Sequence, residues 1–319
     1  MAASLPDVSE FNLSKLPPLP RPHLKISFSG GRTSALMTAL LLHEYREVRG
    51  VPCTVVFANT GQEHEETLKF IDRCDKEWGF NVTWLEAVVI PQKRKGTQSR
   101  VVSYETASRD GAPYADGCAK YGIPNKINPW CTRELKMAAL HWHMTSRLSL
   151  PRTAYTTAIG IRADEIDRSS PNADKHGFVY PLCTLGITKP QVLAWFKRQA
   201  FDLQIPEHLG NCTWCWKKSE RKLFTVAHDL PAAFDFPARM EALHGNAGAL
   251  APRLGPQVFF RGNRSAEEMR EQAAAYTGSL YTDPNWDYNA ALDMGGACGE
   301  SCEIGADDCE PDDLPDDAI

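Results

Sequence analysis

Lys25-Ile26-Ser27-Phe28-Ser29-Gly30-Gly31-Arg32-Thr33-Ser34-Ala35-Leu36 is the stretch on which the reading of this chain turns. A short apolar strand, about Leu24–Ser29, runs into a glycine pair and hydroxyl residues, then into a helix from Ala35 to about Tyr45. Glycines at the turn let the backbone bend tightly and approach a ligand without a Cβ in the way. The N–H groups at the start of the following helix lack intrahelical partners and carry the positive end of the helix dipole. Such a turn suits a phosphate or pyrophosphate, although a plain strand–turn–helix connection has the same outline. It is not a Walker A loop, because no Gly-Lys-Ser/Thr closes it.

Outward from that loop the chain alternates strands and helices. A second strand, about Thr54–Ala58, ends at Asn59-Thr60-Gly61. A helix from about Glu63 to Trp78 carries Glu63, Glu65 and Glu66 in its first turn, where the dipole favours acids. A third strand covers about Asn81–Val89, and Thr153–Ile161 is a further β-rich run. This order predicts right-handed βαβ units around a Rossmann-like parallel sheet with helices on both faces. Ligands in such sheets bind at the carboxyl ends of the strands, where both glycine-bearing turns lie. Helices are expected at Cys131–Arg147, Pro190–Gln199 and Glu220–Leu230. Residues 91–130 show little periodicity and read as a long basic loop.

The resulting organisation is an extended lead-in at 1–22, a nucleotide-binding domain at 23–230, a helical extension at 231–296 and an acidic tail at 297–319. The formal net charge is −5, but nine of the 40 acids lie in that tail, leaving 31 against 35 Lys and Arg. The body is therefore mildly basic, and the tail reads as a solvated end. Hydrophobic content of 43% and charged content of 24% describe a globular chain with no candidate membrane helix. The Pro-rich start does not resemble a secretory signal, so a cytoplasmic protein is expected.

Ten cysteines in such a setting point to metal or redox chemistry. Cys212-Thr213-Trp214-Cys215 can bring two thiolates to one ion or cluster, with Cys131 folding back as a third and Cys183 a candidate fourth. An iron–sulfur cluster, a zinc site and plain reduced thiols all remain open at this point. Cys53 and Cys74 sit in expected core elements as small apolar fillers, and Cys118 has no assigned role. Arg133, Lys136, Lys217, Lys218 and Arg221 lie near the motif cysteines and could hold an anion or serve as a solvated face.

Taken in order, these segments resemble the PP-loop, or adenine nucleotide α-hydrolase-like, superfamily, and within it the phosphoadenosine-phosphosulfate (PAPS) reductase family. Ser29–Ser34 resembles the superfamily's Ser-Gly-Gly-x-Asp-Ser, and Asn59-Thr60-Gly61 with Glu66-Thr67 resembles the family's Asp-Thr-Gly and later Glu-Thr. Gly160-Ile161-Arg162-Ala163-Asp164-Glu165 is similar to its Gly-x-Arg-x-Asp/Glu segment. Cys131 through Lys136 resembles its Cys-Cys-x-x-x-Lys region, and Cys212–Cys215 its Cys-x-x-Cys. Thr33 stands where the superfamily has an acid, and Trp130 where cluster-bearing members have the first cysteine of a pair.

The resemblance implies an adenine-nucleotide site built from Ser29, Gly30, Gly31, Arg32, Thr33, Ser34, Asn59, Thr60, Gly61 and Arg162, for ATP or adenylyl sulfate, with Mg²⁺ an optional companion. It implies a [4Fe–4S] cluster, with zinc as the alternative, on Cys131, Cys212, Cys215 and Cys183. Cys298, followed by Gly299, matches the family's C-terminal nucleophile, although Glu300 and Glu303 beside it would raise its pKa. Two reactions compete. One is sulfonucleotide reduction to sulfite with a thiol reductant such as thioredoxin. The other is ATP-dependent sulfur transfer to tRNA or DNA. A nucleotide- or cluster-sensing module is the non-catalytic reading, and a homo-oligomer is compatible with all three.

Overall fold

The computed structural model describes residues 3–281. Its centre is a six-stranded sheet in the order β4-β3-β2-β1-β5-β6. The strands are β1 (His23–Ser27), β2 (Cys53–Asn59), β3 (Val82–Val89), β4 (Thr97–Val102), β5 (Tyr155–Ala158) and β6 (Phe178–Val179). Every pairing is parallel except β3 with β4. The helices are α1 (Arg32–Leu41), α2 (Glu65–Trp78), α3 (Ala112–Tyr121), α4 (Ala139–Trp142), α5 (Ala173–His176), α6 (Pro181–Leu185) and α7 (Lys189–Phe196). They are followed by α8 (Glu220–Asp229), α9 (Asp235–His244), α10 (Ala251–Leu254) and α11 (Ala266–Ala275). Wider π-type turns extend α1 through Leu42–Val48 and flank α4 over Thr132–Ala138 and His143–Arg147.

On one sheet face Leu24 and Ile26, both fully buried, pack with Leu36 and Leu40 of α1, Ile71 of α2, and Trp195 and Phe196 of α7. The α4 segment lies on the other face over β2, β3 and β4, where Leu140 meets Val56, Ala58 and Leu85. Helices on both faces of a mostly parallel sheet are the α/β architecture that the strand–helix alternation predicts.

A second core lies beside the sheet. It joins Tyr114 and Cys118 of α3, Trp130, Trp214, Leu223 and Phe224 of α8, and Phe236 and Met240 of α9, with Phe259 and Met269 beyond them. The helices after Pro231 therefore share a core with α3 and the Cys212–Cys215 segment.

Residues 91–130 differ from the long loop expected. They contain edge strand β4 and helix α3. The inward positions of β4 are Thr97 and Ser99, so the strand lacks the alternating apolar signal. Helix α3 opens on Gly111 and Pro113 and carries Gly117, all of which read as loop residues. Among the described residues no helix is long and apolar enough to cross a membrane.

Candidate functional site

Three turns meet at the carboxyl ends of β1, β2 and β5. After β1, Gly30 takes a φ of +82°, and a Cβ there would lie 2.7 Å from both Ile71 Cδ1 and Thr67 Cγ2 of α2. Glycine is required on both counts. Ser34 Oγ braces the loop: it accepts from the Ser29 amide (3.2 Å) and hydroxyl (3.0 Å) and donates to Gly31 O (3.0 Å). Helix α1 begins directly after Gly31, with no side-chain cap and no acid in its first turn. Its positive end is thus left for an external anion. Thr67 borders the same loop, and its buried hydroxyl has no hydrogen-bond partner among the described residues. An orphaned donor beside a helix N-terminus fits a phosphate oxygen.

Arg32 and Thr33 do different work from the glycines. The Arg32 guanidinium turns to Asp202 (Nε to Oδ1, 2.6 Å) and Leu203 O (2.5 Å), tying α1 to the segment after α7. The Thr33 hydroxyl accepts from Arg162 Nη1 at 3.1 Å. Arg162 is 5% exposed and also pairs with Asp164 (3.1 Å) and Glu165 (2.9 Å). The turn after β5 is thereby locked to the loop after β1. A carboxylate at position 33 would add a third acid around Arg162; threonine keeps the hydrogen bond without the charge.

After β2, Asn59 is buried and committed to structure. Its amide donates to Glu86 Oε1 (2.7 Å) and Ser108 O (2.9 Å), and Glu86 is further held by Arg100 (2.7 Å). Thr60 donates its amide and hydroxyl to the Glu63 carboxylate (2.9 and 2.8 Å), and Thr60 Oγ1 lies 3.4 Å from Cys212 Sγ. Gly61, at φ +78°, passes so close to Gly111 that a Cβ would sit 2.8 Å from its Cα. Gln62 fastens the cysteine segment by accepting from the Thr213 amide (3.1 Å) and the Trp214 indole (2.6 Å).

The strand-end turn and the Cys-x-x-Cys segment are therefore one docked unit. A cavity of about 70 Å³ runs between them and the glycine loop after β1, lined by Ser29, Ala58, Glu63, Thr132, Lys136 and Asn211 among others. Thr132 adjoins Cys131 and Asn211 adjoins Cys212.

Cys131, Cys212 and Cys215 belong to the second core. Burial, together with these three thiols and Cys118, pushes the Tyr114 phenol well above its ordinary pKa. Cys118, which no motif singled out, is thus the fourth thiol of the group. Cys183 sits elsewhere, beside Arg162, with its Sγ donating to Ile161 O and Arg162 O (both 3.2 Å). Burial and the acids Glu165 and Asp164 lift its pKa to about 11. Thiols are the ligand type of an iron–sulfur cluster, whose thiolates bind different irons. Among the described residues, no three Cys, His, Asp or Glu side chains form the tight group that a single metal ion needs.

Trp130 explains its own presence. It is fully buried against Tyr114 and Tyr121, and its indole donates to Gly122 O at 3.0 Å. Lys218 is 2% exposed and gives its ammonium to His208 O and Thr213 O (both 2.6 Å), so it braces the cysteine loop. Lys136 lines the cavity, where its charge suits an anion. Asn211, Glu63 and Thr132 were not among the site residues expected from sequence, although each flanks or lies within a quoted motif. Cys298 lies outside the described residues.

The sequence pattern of the phosphoadenosine phosphosulfate reductase domain matches residues 23–129. The chain is 35% identical over 287 residues to the uncharacterized nin region protein ORF290 of Escherichia phage lambda, covering 88% of this chain and 94% of that protein. Among solved structures it is similar to the U34-tRNA thiolase NcsA from Methanococcus maripaludis with its [4Fe–4S] cluster. That likeness has 12% identity and a TM-score of 0.31, over 89% of this chain and 82% of the other.

Proposed function

The chain belongs to the phosphoadenosine phosphosulfate reductase family, and from that premise we propose that it is an enzyme performing sulfur chemistry on an adenine nucleotide. The observation that carries this reading is the strand-end cavity, whose wall joins Ser29 of the phosphate loop to the immediate neighbours of Cys131 and Cys212. Phosphate bound by the loop and a thiol-borne sulfur would then face each other across one short gap. The helix dipole of α1, the Thr67 hydroxyl and Lys136 supply the positive potential for the phosphates. Arg162, through Thr33, and Thr60, through Glu63, brace the loops that border the pocket.

Sulfonucleotide reduction is the leading reaction. The Cys298 thiolate attacks the sulfonate sulfur of adenylyl sulfate, forming a sulfur–sulfur bond while the bond from that sulfur to the phosphate oxygen breaks and AMP leaves. An external dithiol reductant then attacks Cys298 Sγ. Sulfite departs with the electron pair, and the mixed disulfide resolves to oxidised dithiol and free Cys298. An iron–sulfur cluster on Cys131, Cys212 and Cys215, when bound, would leave one iron open to a sulfur ligand.

The intact Ser29-Gly30-Gly31-Arg32-Thr33-Ser34 loop and the lone Cys131 favour a second reading, ATP-dependent sulfur transfer to a tRNA or DNA base. There the base oxygen attacks the α-phosphorus and expels pyrophosphate, after which hydrosulfide sulfur from a donor displaces AMP.

Anaerobic purification with iron and acid-labile sulfide analysis, followed by parallel assays, separates these. Sulfite released from adenylyl sulfate in the presence of dithiol, and lost in Cys298→Ser, is the expected result. Pyrophosphate released from ATP only with added tRNA or DNA would select the second reading. Tight nucleotide binding with neither product would remove both reactions.

A further inference from the structure

The central strands of a sheet covered on both faces read as nearly continuous apolar runs. β1 does not. His23, Lys25 and Ser27 alternate with the buried Leu24 and Ile26. The β1–β5 register sets Tyr155 beside His23 and Thr157 beside Lys25, so one polar face runs across both strands. The α4 segment packs closely on that face over β2, β3 and β4 and borders β1 and β5 with Leu140 and His141. Over β1, β5 and β6 there is instead a cavity of about 280 Å³.

Its wall is of one sign. Lys25, Arg21, Arg152, Lys175, His141 and Tyr155 all border it, and no Asp or Glu does among the described residues. Lys25 is 8% exposed, and its ammonium stands 5.2 Å from the centre of the Tyr155 ring. Among the described residues neither a carboxylate nor a hydrogen-bond acceptor meets it. Burial and the Arg152 charge draw its pKa down to about 7. His141, with Nδ1 2.9 Å from Tyr155 Oη, is drawn down to about 4 by burial, Arg152 and Lys25. Arg21 fixes the frame by donating to Tyr155 O (3.0 Å) and His176 O (3.3 Å). A buried amine with no counter-charge is costly, and an anion in the cavity offsets that cost.

We propose that this cavity is a second anion site, separate from the phosphate loop, for a small molecule bearing a phosphate or sulfate group. Lys25 and Arg152 supply the charge, and the hydroxyls of Tyr155 and Thr157 supply directional contacts. The volume lies near the small end of ligand pockets, so one small molecule fills it. Ser27, Met137 and Leu140 line both this cavity and the one at the strand ends, which makes the two neighbours on one sheet face. The inference does not depend on which reaction the cysteines perform.

Isothermal titration calorimetry of the full chain with inorganic phosphate, sulfate, pyrophosphate and AMP tests it. Two anion sites are expected in the unsubstituted protein. Lys25→Met should weaken one at least tenfold and leave the other intact, and Ser34→Ala should do the reverse. Arg152→Gln, on an exposed side chain, should weaken the Lys25-dependent site without touching the fold. The anion bound most tightly at the Lys25-dependent site identifies whether phosphate, sulfate or an ester is the natural group. A single site lost in both Lys25→Met and Ser34→Ala, or isotherms unchanged within twofold by Lys25→Met and Arg152→Gln, would overturn the proposal.

Discussion

Gly30 and Lys25, five residues apart on one strand and its turn, show how far single side chains set this site. Gly30→Ala places a Cβ 2.7 Å from two side chains of α2 at a left-handed φ. The expected cost is about 1–3 kcal/mol in urea unfolding, with loss of nucleotide affinity as the loop shifts. Lys25 acts through pH. Its native pKa of about 7 lies below its unfolded value of 10.5, so the native state binds the proton less well. The penalty is full below pH 7 and fades as pH rises toward 10.5. Lys25→Met is therefore expected to stabilise the protein by a few kcal/mol at pH 6 and hardly at all near pH 10. Thermal unfolding at both pH values reads this directly. The tight turn after β1 was legible in the sequence because its glycines and hydroxyls announce it. Lys25 was not, because one lysine in an apolar strand looks the same whether it snorkels to solvent or faces a cavity.

At the scale of elements, the pairing of α3 with Trp130 explains a departure from the family pattern. A Cβ on Gly117 would overlap the Trp130 ring, so helix and indole are matched in shape. Gly117→Ala is expected to destabilise by about 1–3 kcal/mol, and the double variant with Trp130→Leu should recover part of that. Chemical denaturation of the three variants checks the coupling. α3 and β4 escaped sequence reading for a local reason: β4 turns Thr97 and Ser99 inward, and α3 buries only Tyr114 and Cys118 as strong apolar anchors, with Pro113 and Gly117 beside them reading as loop. The turns after β1, β2 and β5 come together at the strand ends, as a parallel sheet requires, yet their division of labour was not legible. Nothing local shows that Asn59 is spent on Glu86, or that Thr33 holds Arg162.

Across the whole molecule, Glu207 ties the two cores together. Its carboxylate meets Lys189 of α7, in the first core, and Lys222 of α8, in the second (3.0 Å). Burial alone would raise its pKa, but the two lysines outweigh burial and hold it at about 2. Its stabilisation is complete above the ordinary value of 4.5 and is lost as pH falls through 2. Glu207→Gln removes the carboxylate both ammonium groups share and is expected to cost about 3–5 kcal/mol at pH 7. The gap between variant and parent should close as pH approaches 2 in a urea titration series. The α/β alternation was legible through β1, β2, β3 and β5. The second core was not, because it is assembled from Tyr114, Trp130, Trp214, Phe236 and Phe259, which lie far apart in the chain.

The central claim is that the phosphate loop and the cysteines form one site. Alkylation rates of Cys131 and Cys212, measured by peptide mass spectrometry on metal-free protein with and without saturating adenine nucleotide, test it most directly. Nucleotide is predicted to slow alkylation of Cys212 at least tenfold in the unsubstituted chain and to have no effect in Gly30→Ala. Equal rates with and without bound nucleotide in the unsubstituted chain would contradict the account.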